Sequence, residues 1–393
     1  MKVLHHFRTR GTGAEGVHIA GIANAFVELG HRVIFSSPTG VDPRATAGAS
    51  PYGESGRGSW LAGLSRKVPA FVFELLELGY NATAFFRNAA ILRREPCGLI
   101  YERHAFFLCS TALLARRFRV PLVVEVNELV GDARVRRQPV FARLARWCDR
   151  VIFRAADVIV VVSPHLKRRI EASGIDGGKV LVLPNAVNRA DFEKMADGRD
   201  VRRRHGLGDA IVVGFVGWFV PWHRLEMLVE AFAESCGRHA GMKLLLVGEG
   251  ELRGALDRRA HELGIAGRVV FAGAAPHGEI PAHVAAMDIC VVPHSNEYRS
   301  PIKMFEYMGQ GRAVVAPRTE PVGMAVADGL NGLLFEPESK EQLAARLAVL
   351  AGDAALRERL GAQARRDVLE KHTWTRNASR VLEMLAERRA TGR

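Results

Sequence analysis

A lysine and a glutamate stand one helical turn apart in the stretch SPIKMFEYMGQGRAVVAP, which covers residues 300–317. The pattern predicts a helix with Ser300 as its N-cap and Pro301 at its first position. The N-terminus of a helix attracts phosphate through its free N–H groups and its dipole. Lys303 would add a positive charge for a diphosphate, and Glu306 could accept hydrogen bonds from a ribose diol. The spacing therefore predicts a nucleotide site, and a surface ion pair is the alternative.

Three glycines lie between the first predicted strand and the first predicted helix, in GTGAEGVHIAGIANAFVELGHRV. Gly11, Gly13 and Gly16 could let backbone N–H groups approach a phosphate. Because the spacing is not GxGxxG followed by an acid, dinucleotide binding is poorly supported. A tight turn before a capped helix is the alternative interpretation.

Polar side chains also end two predicted strands in the first half of the chain. LIYERHAFF places Glu102, Arg103 and His104 at one strand end, and EVNE places Glu125 and Glu128 at the next. A histidine in such a position is more often structural than catalytic. The two glutamates could bind acceptor hydroxyls or pair with nearby arginines.

Twelve short, β-branched runs must position these residues, and amphipathic helical patterns separate most of them. This alternation is typical of parallel, doubly wound sheets, and twelve strands are too many for one Rossmann sheet. The α/β pattern therefore predicts two Rossmann-like domains facing across a cleft, at residues 1–190 and 205–372. A final helix would follow at 373–393. The charged segment 188–210 would be the linker, and the Gly/Ser-rich segment 45–68 a mobile loop.

The charge of the chain is strongly asymmetric. Residues 1–190 hold 27 Lys and Arg against 15 Asp and Glu, whereas the remaining residues hold 28 against 27. An anionic surface or substrate for the first half would account for this excess, and drift in composition toward arginine is the alternative. The stretch ARVRRQPVFARLARWCDRVIF mixes arginines with Phe141, Leu144 and Trp147. It predicts either an interfacial membrane helix or an amphipathic core helix.

Several classes of protein are disfavoured by the composition. Five cysteines without a CxxC pair favour a reducing compartment and speak against a zinc site or a disulfide framework. We see no apolar run long enough to cross a membrane and no signal-peptide pattern, so the expected location is cytoplasmic. No motif for nucleic-acid binding is visible.

The order of motifs in the second half resembles that of family 4 glycosyltransferases with the GT-B fold. FVGWFVPWHRLEMLVEAFA, LLLVGEGELRGAL, VVFAGAAPHGEIPAHVAAMDICVVPHS and VADGLNGLLFEP follow one another as they do in that family. In the first half, AADVIVVVSPHLKRRI and VLVLPNAVNRADF are similar to the end of its acceptor domain. The SPxKxxEYM form resembles a subgroup from bacterial surface-polysaccharide pathways.

The resemblance implies that Glu306 holds the ribose of a nucleotide sugar. Tyr298 stands where relatives often carry a sugar-binding glutamate, and Glu297 lies one position away. Trp218 and His223 stand where relatives commonly place the Arg and Lys that clamp the diphosphate.

The resemblance also gives a set of expected site residues, which differ in role. The donor would be bound by Gly13, Gly16, His223, Arg224, Glu297, Arg299, Lys303 and Glu306, with Arg224, Arg299 and Lys303 replacing the missing cations. His18, Glu125 and Glu128 would bind the acceptor. His104, or else Arg103, would be the catalytic group near the reacting sugar.

The expected activity is retaining transfer of a sugar from a UDP- or GDP-sugar to a glycan or lipid-linked acceptor. Neither a cofactor nor a metal is expected, because arginines and helix N-termini can offset the phosphate charge. Peripheral contact with the inner face of an anionic membrane is a further expectation, and nucleic acid is not an expected partner. A nucleotide-sugar epimerase and a non-catalytic nucleotide-binding paralogue are the alternatives.

Overall fold

The structure, a computed structural model, describes residues 1–9, 11, 13–46, 69–132 and 138–391. Most of the predicted loop at 45–68 lies outside these ranges, as does the first part of the arginine-rich stretch, 133–137.

All twelve predicted strands are present, and they form two parallel sheets of six. The first sheet contains β1 (Lys2–His6), β2 (Arg32–Ser36), β3 (Leu99–Arg103), β4 (Leu122–Val126), β5 (Val158–Val161) and β6 (Val180–Val182). Its strand order is β2-β1-β3-β4-β5-β6, so the chain reverses its direction of travel at β1. Such a reversal defines a doubly wound sheet and its ligand-binding edge.

The second sheet repeats this plan. It contains β7 (Ile211–Val216), β8 (Met242–Val247), β9 (Val269–Gly273), β10 (Ile289–Val291), β11 (Ala313–Pro317) and β12 (Leu333–Phe335). Its order is β12-β11-β10-β7-β8-β9, with the reversal at β7. The predicted α/β architecture is therefore confirmed.

Helices follow most strands, as parallel pairing requires. Around the first sheet lie α1 (Gly13–Glu28), α2 (Pro43–Thr46), α3 (Ala70–Arg94), α4 (Ser110–Phe118), α5 (Ala142–Ala155) and α6 (Pro164–Ala172). The later part contains α7 (Arg199–Arg204), α8 (Leu225–Cys236), α9 (Arg253–Glu262), α10 (Ile280–Ala285), α11 (Ile302–Gly309), α12 (Glu320–Gly323), α13 (Lys340–Gly352), α14 (Ala354–Lys371) and α15 (Trp374–Ala390).

The chain divides into two compact units, and the last helix returns to the first of them. The first unit comprises Met1–Leu183 with Thr375–Arg393, and the second comprises Pro184–Trp374. Segment 188–210, expected to be a linker, lies within the second unit and contains a 3₁₀ turn at Arg189–Phe192 as well as α7. Arg365 fixes this segment by donating to the Phe192 carbonyl at 2.5 Å.

Candidate active site

The loop between β10 and α11 is fixed by a contact with Asn185. The Asn185 backbone N–H donates to Ser300 Oγ at 3.0 Å, and Asn185 Nδ2 donates to the Ser300 carbonyl at 2.6 Å. Pro301, which carries no capping side chain, is the N-cap of α11, so the capping role predicted for Ser300 is wrong. Ser300 Oγ accepts from Asn185 and does not cap the first turn of the helix, so the backbone N–H groups of that turn can bind an anion.

The ammonium group of Lys303 is enclosed in the second unit without a hydrogen-bond partner among the described residues. Nζ lies 4.0 Å from the centre of the Phe215 ring. Burial lowers the pKa of Lys303 to about 7, although the charge of Glu306 raises it. An enclosed ammonium that lacks a partner is costly, and an anionic ligand would remove that cost.

Gly217 creates the space that the lysine occupies. A Cβ at this position would lie 2.6 Å from Lys303 Nζ, and the φ of Gly217 is 144°, which favours glycine. Gly217 is the residue directly after β7, in the stretch FVGW. Glycine is needed here because a side chain would collide with the Lys303 ammonium, and the sequence alone did not reveal this contact.

Glu306 lies one turn further along α11, and its side chain forms neither a hydrogen bond nor an ion pair with another described residue. Burial raises the pKa of this carboxyl, while the charges of His277 and Lys303 act in the opposite direction. The carboxylate is therefore available to accept hydrogen bonds from a diol.

His223, another predicted donor-site residue, does not carry a positive charge at neutral pH. Burial, followed by the charge of Lys303, lowers the pKa of His223 to about 3, so this imidazole is neutral at neutral pH. Its Nδ1 lies 2.6 Å from the Trp218 carbonyl, which can only accept, so Nδ1 carries the proton and Nε2 is an acceptor. His223 therefore does not replace a phosphate-clamping cation.

The two neighbouring arginines are engaged to different degrees. Arg224 pairs with Glu338, with Nε and Oε2 3.0 Å apart, and this pair is half-exposed. The Arg299 guanidinium has no ion pair within the described part of the chain, and it lies 5.3 Å from the centre of the Tyr298 ring. Glu297 is exposed in a turn, whereas Tyr298 is buried. Arg299 and Lys303 are thus the predicted donor-site cations that have no ion pair within the described residues, and phosphate binding by them stays a prediction.

In the first unit, Glu125 is enclosed by four donors. Oε1 accepts from Arg103 at 2.5 Å and from Asn127 at 2.7 Å. Oε2 accepts from Tyr101 at 2.8 Å and lies 3.0 Å from Nε2 of His18. Burial would raise the pKa of Glu125, but His18 and Arg103 hold it below its ordinary value.

This arrangement fits the second interpretation given for Glu125, which is pairing with a nearby arginine. The four hydrogen bonds of the carboxylate hold His18 of α1 and Arg103 of β3 in place. Acceptor binding by His18, Glu125 and Glu128 stays a prediction. Glu128 lies beyond β4, is partly exposed and has a partner.

The His104 ring is buried rather than open to a substrate. Its side chain is 1% exposed, and Nε2 lies 2.8 Å from Asp149 Oδ1 of α5. The ring centre lies 5.3 Å from that of Phe153. These contacts support the structural interpretation of this histidine, and its catalytic role stays a prediction.

Two glycines that follow β1 have left-handed backbone conformations. The φ values of Gly11 and Gly13 are 71° and 63°. A Cβ on Gly16 would lie 2.3 Å from the Gly11 carbonyl oxygen. Glycine at position 16 therefore allows the first turn of α1 to lie close to Gly11, and phosphate binding by Gly13 and Gly16 stays a prediction.

Within the described residues, no group of three or more His, Cys, Asp or Glu side chains is arranged to hold a metal ion. The described helices also include none with the length and apolar character needed to cross a bilayer.

Two family models match consecutive parts of the chain. The model "Glycosyltransferase Family 4" matches residues 15–191, and "Glycosyl transferases group 1" matches residues 198–367. Together they contain β2 to β12, whereas β1 and the glycines at positions 11 and 13 precede the first match.

Individual relatives are similar to the greater part of the chain. A lipopolysaccharide core biosynthesis glycosyltransferase, LpsE, of Rhizobium meliloti is 30% identical over 83% of this chain and 96% of its own. A GDP-mannose-dependent alpha-(1-6)-phosphatidylinositol monomannoside mannosyltransferase of Mycolicibacterium smegmatis is 29% identical over 63% of this chain and 66% of its own.

A solved structure shows the same fold. HepE of Anabaena, crystallised with UDP, superposes with a TM-score of 0.74 at 18% identity, covering 98% of this chain and all of HepE. The similarity to LpsE and the two family matches confirm the resemblance seen in the motifs. The chain therefore belongs to glycosyltransferase family 4 and is a glycosyltransferase with the GT-B fold.

Proposed function

We propose that the protein is a retaining glycosyltransferase that moves a sugar from a UDP- or GDP-sugar to a glycan or lipid-linked acceptor. The pathway would be bacterial polysaccharide or glycolipid biosynthesis. The observation that carries this proposal is the enclosed ammonium of Lys303, which has no hydrogen-bond partner among the described residues, one turn before the carboxyl of Glu306, whose pKa is raised by burial. A nucleoside diphosphate satisfies both, because its phosphates are anionic and its ribose presents a diol.

The names of the relatives support the same substrate class. LpsE is named for lipopolysaccharide core synthesis, and the mycobacterial relative for a GDP-mannose donor and a phosphatidylinositol glycolipid. HepE, which shares the fold, forms a crystalline complex with UDP.

In the proposed mechanism, the bond between the anomeric carbon and the diphosphate oxygen breaks. The acceptor oxygen bonds to that carbon on the same face, and its proton passes to an oxygen of the leaving diphosphate. Lys303, Arg299 and the N-terminus of α11 stabilise the negative charge that develops there. No metal ion is needed in this scheme, and the protein acts by positioning and by charge stabilisation.

For the location, we propose the cytoplasm, with peripheral contact at the inner face of an anionic membrane. The excess of positive charge in residues 1–190 supports this proposal.

The decisive experiment has two stages. A thermal-shift panel of UDP, GDP, ADP and dTDP identifies the nucleotide, because a saturating ligand stabilises the folded state by a few kcal/mol, roughly. The matching nucleotide sugar is then incubated with acceptors and the products are analysed. Transfer supports the proposal, an isomerised donor would indicate an epimerase, and neither product would indicate a binding protein.

Replacing Glu306 tests the ribose contact. Glu306→Ala should weaken binding of the preferred nucleotide by roughly 30-fold, which corresponds to about 2 kcal/mol for lost charge-assisted hydrogen bonds. Calorimetry measures this change, and Glu358→Ala, at an exposed position of α14, is the matched control. Unchanged affinity in folded Glu306→Ala protein would rule out the ribose role.

A further inference from the structure

Helices α3, α4 and α5 form one outer layer of the first unit. The chain crosses from β2 to β3, from β3 to β4 and from β4 to β5 in the same direction along the sheet. Right-handed crossovers in one direction place their helices on the same face. Glu74 of α3 also accepts the backbone N–H groups of Val140 and Phe141, at 2.6 and 2.8 Å, just before α5 begins.

The outward side of α3 is apolar over most of its length. We call its exposed residues the α3 stripe: Phe71, Leu75, Leu76, Gly79, Ala82, Thr83 and Phe86. Leu76 and Phe86 are 65% and 70% exposed. The two acidic residues of the helix do not interrupt the stripe, because Glu74 is buried and Glu77 pairs with Arg8 at 2.6 Å.

The neighbouring helices also expose large apolar side chains. Leu113 of α4 is 62% exposed, and Trp147 of α5 is 52% exposed. Phe141, at the start of α5, is also exposed. At a rise of roughly 1.5 Å per residue, the α3 stripe alone is about 22 Å long. Apolar surfaces of this extent usually contact another phase or molecule.

The same three helices expose arginines but no described acidic residue. The exposed arginines of the three helices are Arg93, Arg94, Arg116, Arg117, Arg143, Arg146, Arg150 and Arg154. None of the eight has an ion pair among the described residues. On these three helices, every described Asp and Glu is buried or partly buried. The layer thus combines a long apolar stripe with unpaired positive charge.

We propose that the outer face of α3, α4 and α5 docks on an anionic membrane. The α3 stripe enters the acyl region, and the arginines lie at the lipid phosphates. A bilayer with anionic lipids offers an apolar interior and a negative surface in one plane, which matches both features. Nucleic acid would satisfy the arginines but not the exposed leucines.

This inference deepens the proposed function, since it rests on the lipid-linked acceptor for its biological purpose. Binding to vesicles is nevertheless measurable without donor or acceptor. A failure of docking is therefore distinguishable from a failure of sugar transfer, which is tested with a water-soluble acceptor.

Vesicle flotation of the full chain tests the stripe. The protein should float with vesicles of phosphatidylglycerol and phosphatidylcholine, and much less with phosphatidylcholine alone. Leu76→Gln/Phe86→Gln should reduce binding at least tenfold, by roughly the hydrophobic contribution of two large side chains. Val27→Gln/Val349→Gln removes two exposed apolar side chains from other helices and should change binding less than twofold. Equal loss in both double variants would overturn the proposal.

A second pair of variants tests the arginines at matched net charge. Arg143→Gln/Arg146→Gln/Arg150→Gln should weaken vesicle binding by more than tenfold, since each arginine near the surface contributes roughly fivefold. Arg189→Gln/Arg238→Gln/Arg258→Gln, at exposed positions of the second unit, loses the same charge and should retain most of the binding. Equal loss would show general charge attraction rather than this face.

Two further measurements distinguish insertion into a membrane from binding of a second copy of the chain or of RNA. Lipids brominated in their acyl chains should quench the tryptophan fluorescence of the protein, and Trp147→Phe should remove most of that quenching. Absence of quenching would overturn insertion. If vesicle binding persisted in Leu76→Gln/Phe86→Gln while a dimer became a monomer, the α3 stripe would bind a second copy of the chain. If vesicle binding persisted while bound single-stranded RNA was released, the stripe would bind RNA.

Discussion

We expect Lys303, if it binds the diphosphate as proposed, to make nucleotide affinity depend on pH. Its pKa is lowered to about 7 in the unliganded protein. A bound diphosphate would raise it, so binding takes up a proton above that pH. The affinity for a nucleoside diphosphate should therefore be fully present below about pH 7 and should fall by up to tenfold per pH unit above it. Calorimetry of the preferred diphosphate between about pH 7 and pH 9 measures this slope.

Two variants of Lys303 serve as controls for this pH dependence. Lys303→Arg keeps a charge that does not titrate in this range, so its affinity should vary little with pH. Lys303→Met should bind the diphosphate weakly at every pH while retaining its affinity for the nucleoside. If Lys303→Met weakened the binding of the diphosphate and of the nucleoside equally, Lys303 would have a structural role and would not be a phosphate ligand.

His104 illustrates how burial changes an expectation based on position. Its ring contacts Asp149 and lies among aromatic side chains. His104→Ala should therefore lower the free energy of unfolding by about 2–3 kcal/mol, because it leaves a buried carboxylate without its partner. Denaturant unfolding measures this loss, and Asp149→Asn in the same protein should recover part of it.

The catalytic alternative for His104 makes a different prediction. Loss of a group that touches the reacting sugar would lower kcat by about 100-fold with little change in stability. His261→Ala, at an exposed histidine of α9, controls for general effects of the substitution. A large fall in kcat at unchanged stability would contradict the structural interpretation and return His104 to the reacting centre.

At the scale of elements, the contacts of Asn185 with Ser300 fix the loop before α11, where we propose the nucleotide site. Asn185→Ala should lower nucleotide affinity by roughly tenfold although Asn185 need not touch the ligand, because it releases the Ser300 carbonyl that Nδ2 now binds. Thermal unfolding and calorimetry measure the effects on stability and affinity. Asn188→Ala removes a similar bond to Asp191 at an exposed site and should change neither by much. Normal affinity in Asn185→Ala protein would show that the loop is held by other contacts.

The sequence predicts single elements better than the contacts between distant ones. All twelve strands are visible in it, because buried parallel strands are continuous β-branched runs. The bond between Ser300 and Asn185 is not, because its partners lie 115 positions apart. The same holds for Glu125, whose donors come from α1, β3 and the end of β4. Spacing within one helix, as for Lys303 and Glu306, needs no such information.

At the scale of the whole molecule, the sequence predicts the two sheets better than it predicts which segments of the chain belong to each unit. The predicted boundary follows a change in composition near residue 190. In the structure, the first unit ends at Leu183 and also includes the C-terminal segment that begins at Thr375. Helix α15 joins the first unit through polar contacts that no pattern indicates, such as Thr375 Oγ1 to Glu28 Oε2 at 2.5 Å. Its apolar face was predictable, because Ala378, Val381 and Leu385 recur at helical spacing and are buried.

Because α15 belongs to the first unit, we expect a substitution at a buried position of this helix to destabilise that unit. Val381 is fully buried, so Val381→Asp should lower the free energy of unfolding by about 3 kcal/mol or more, since it buries an unpaired charge. Ala386→Asp, at an exposed position of the same helix, should cost less than about 0.5 kcal/mol. Nucleotide affinity, which we assign to the second unit, should stay within about twofold of normal at temperatures where both variants are folded. Denaturant unfolding and calorimetry provide the two measurements. Equal destabilisation by both substitutions, or loss of nucleotide binding in folded Val381→Asp protein, would show that α15 does not act through the first unit.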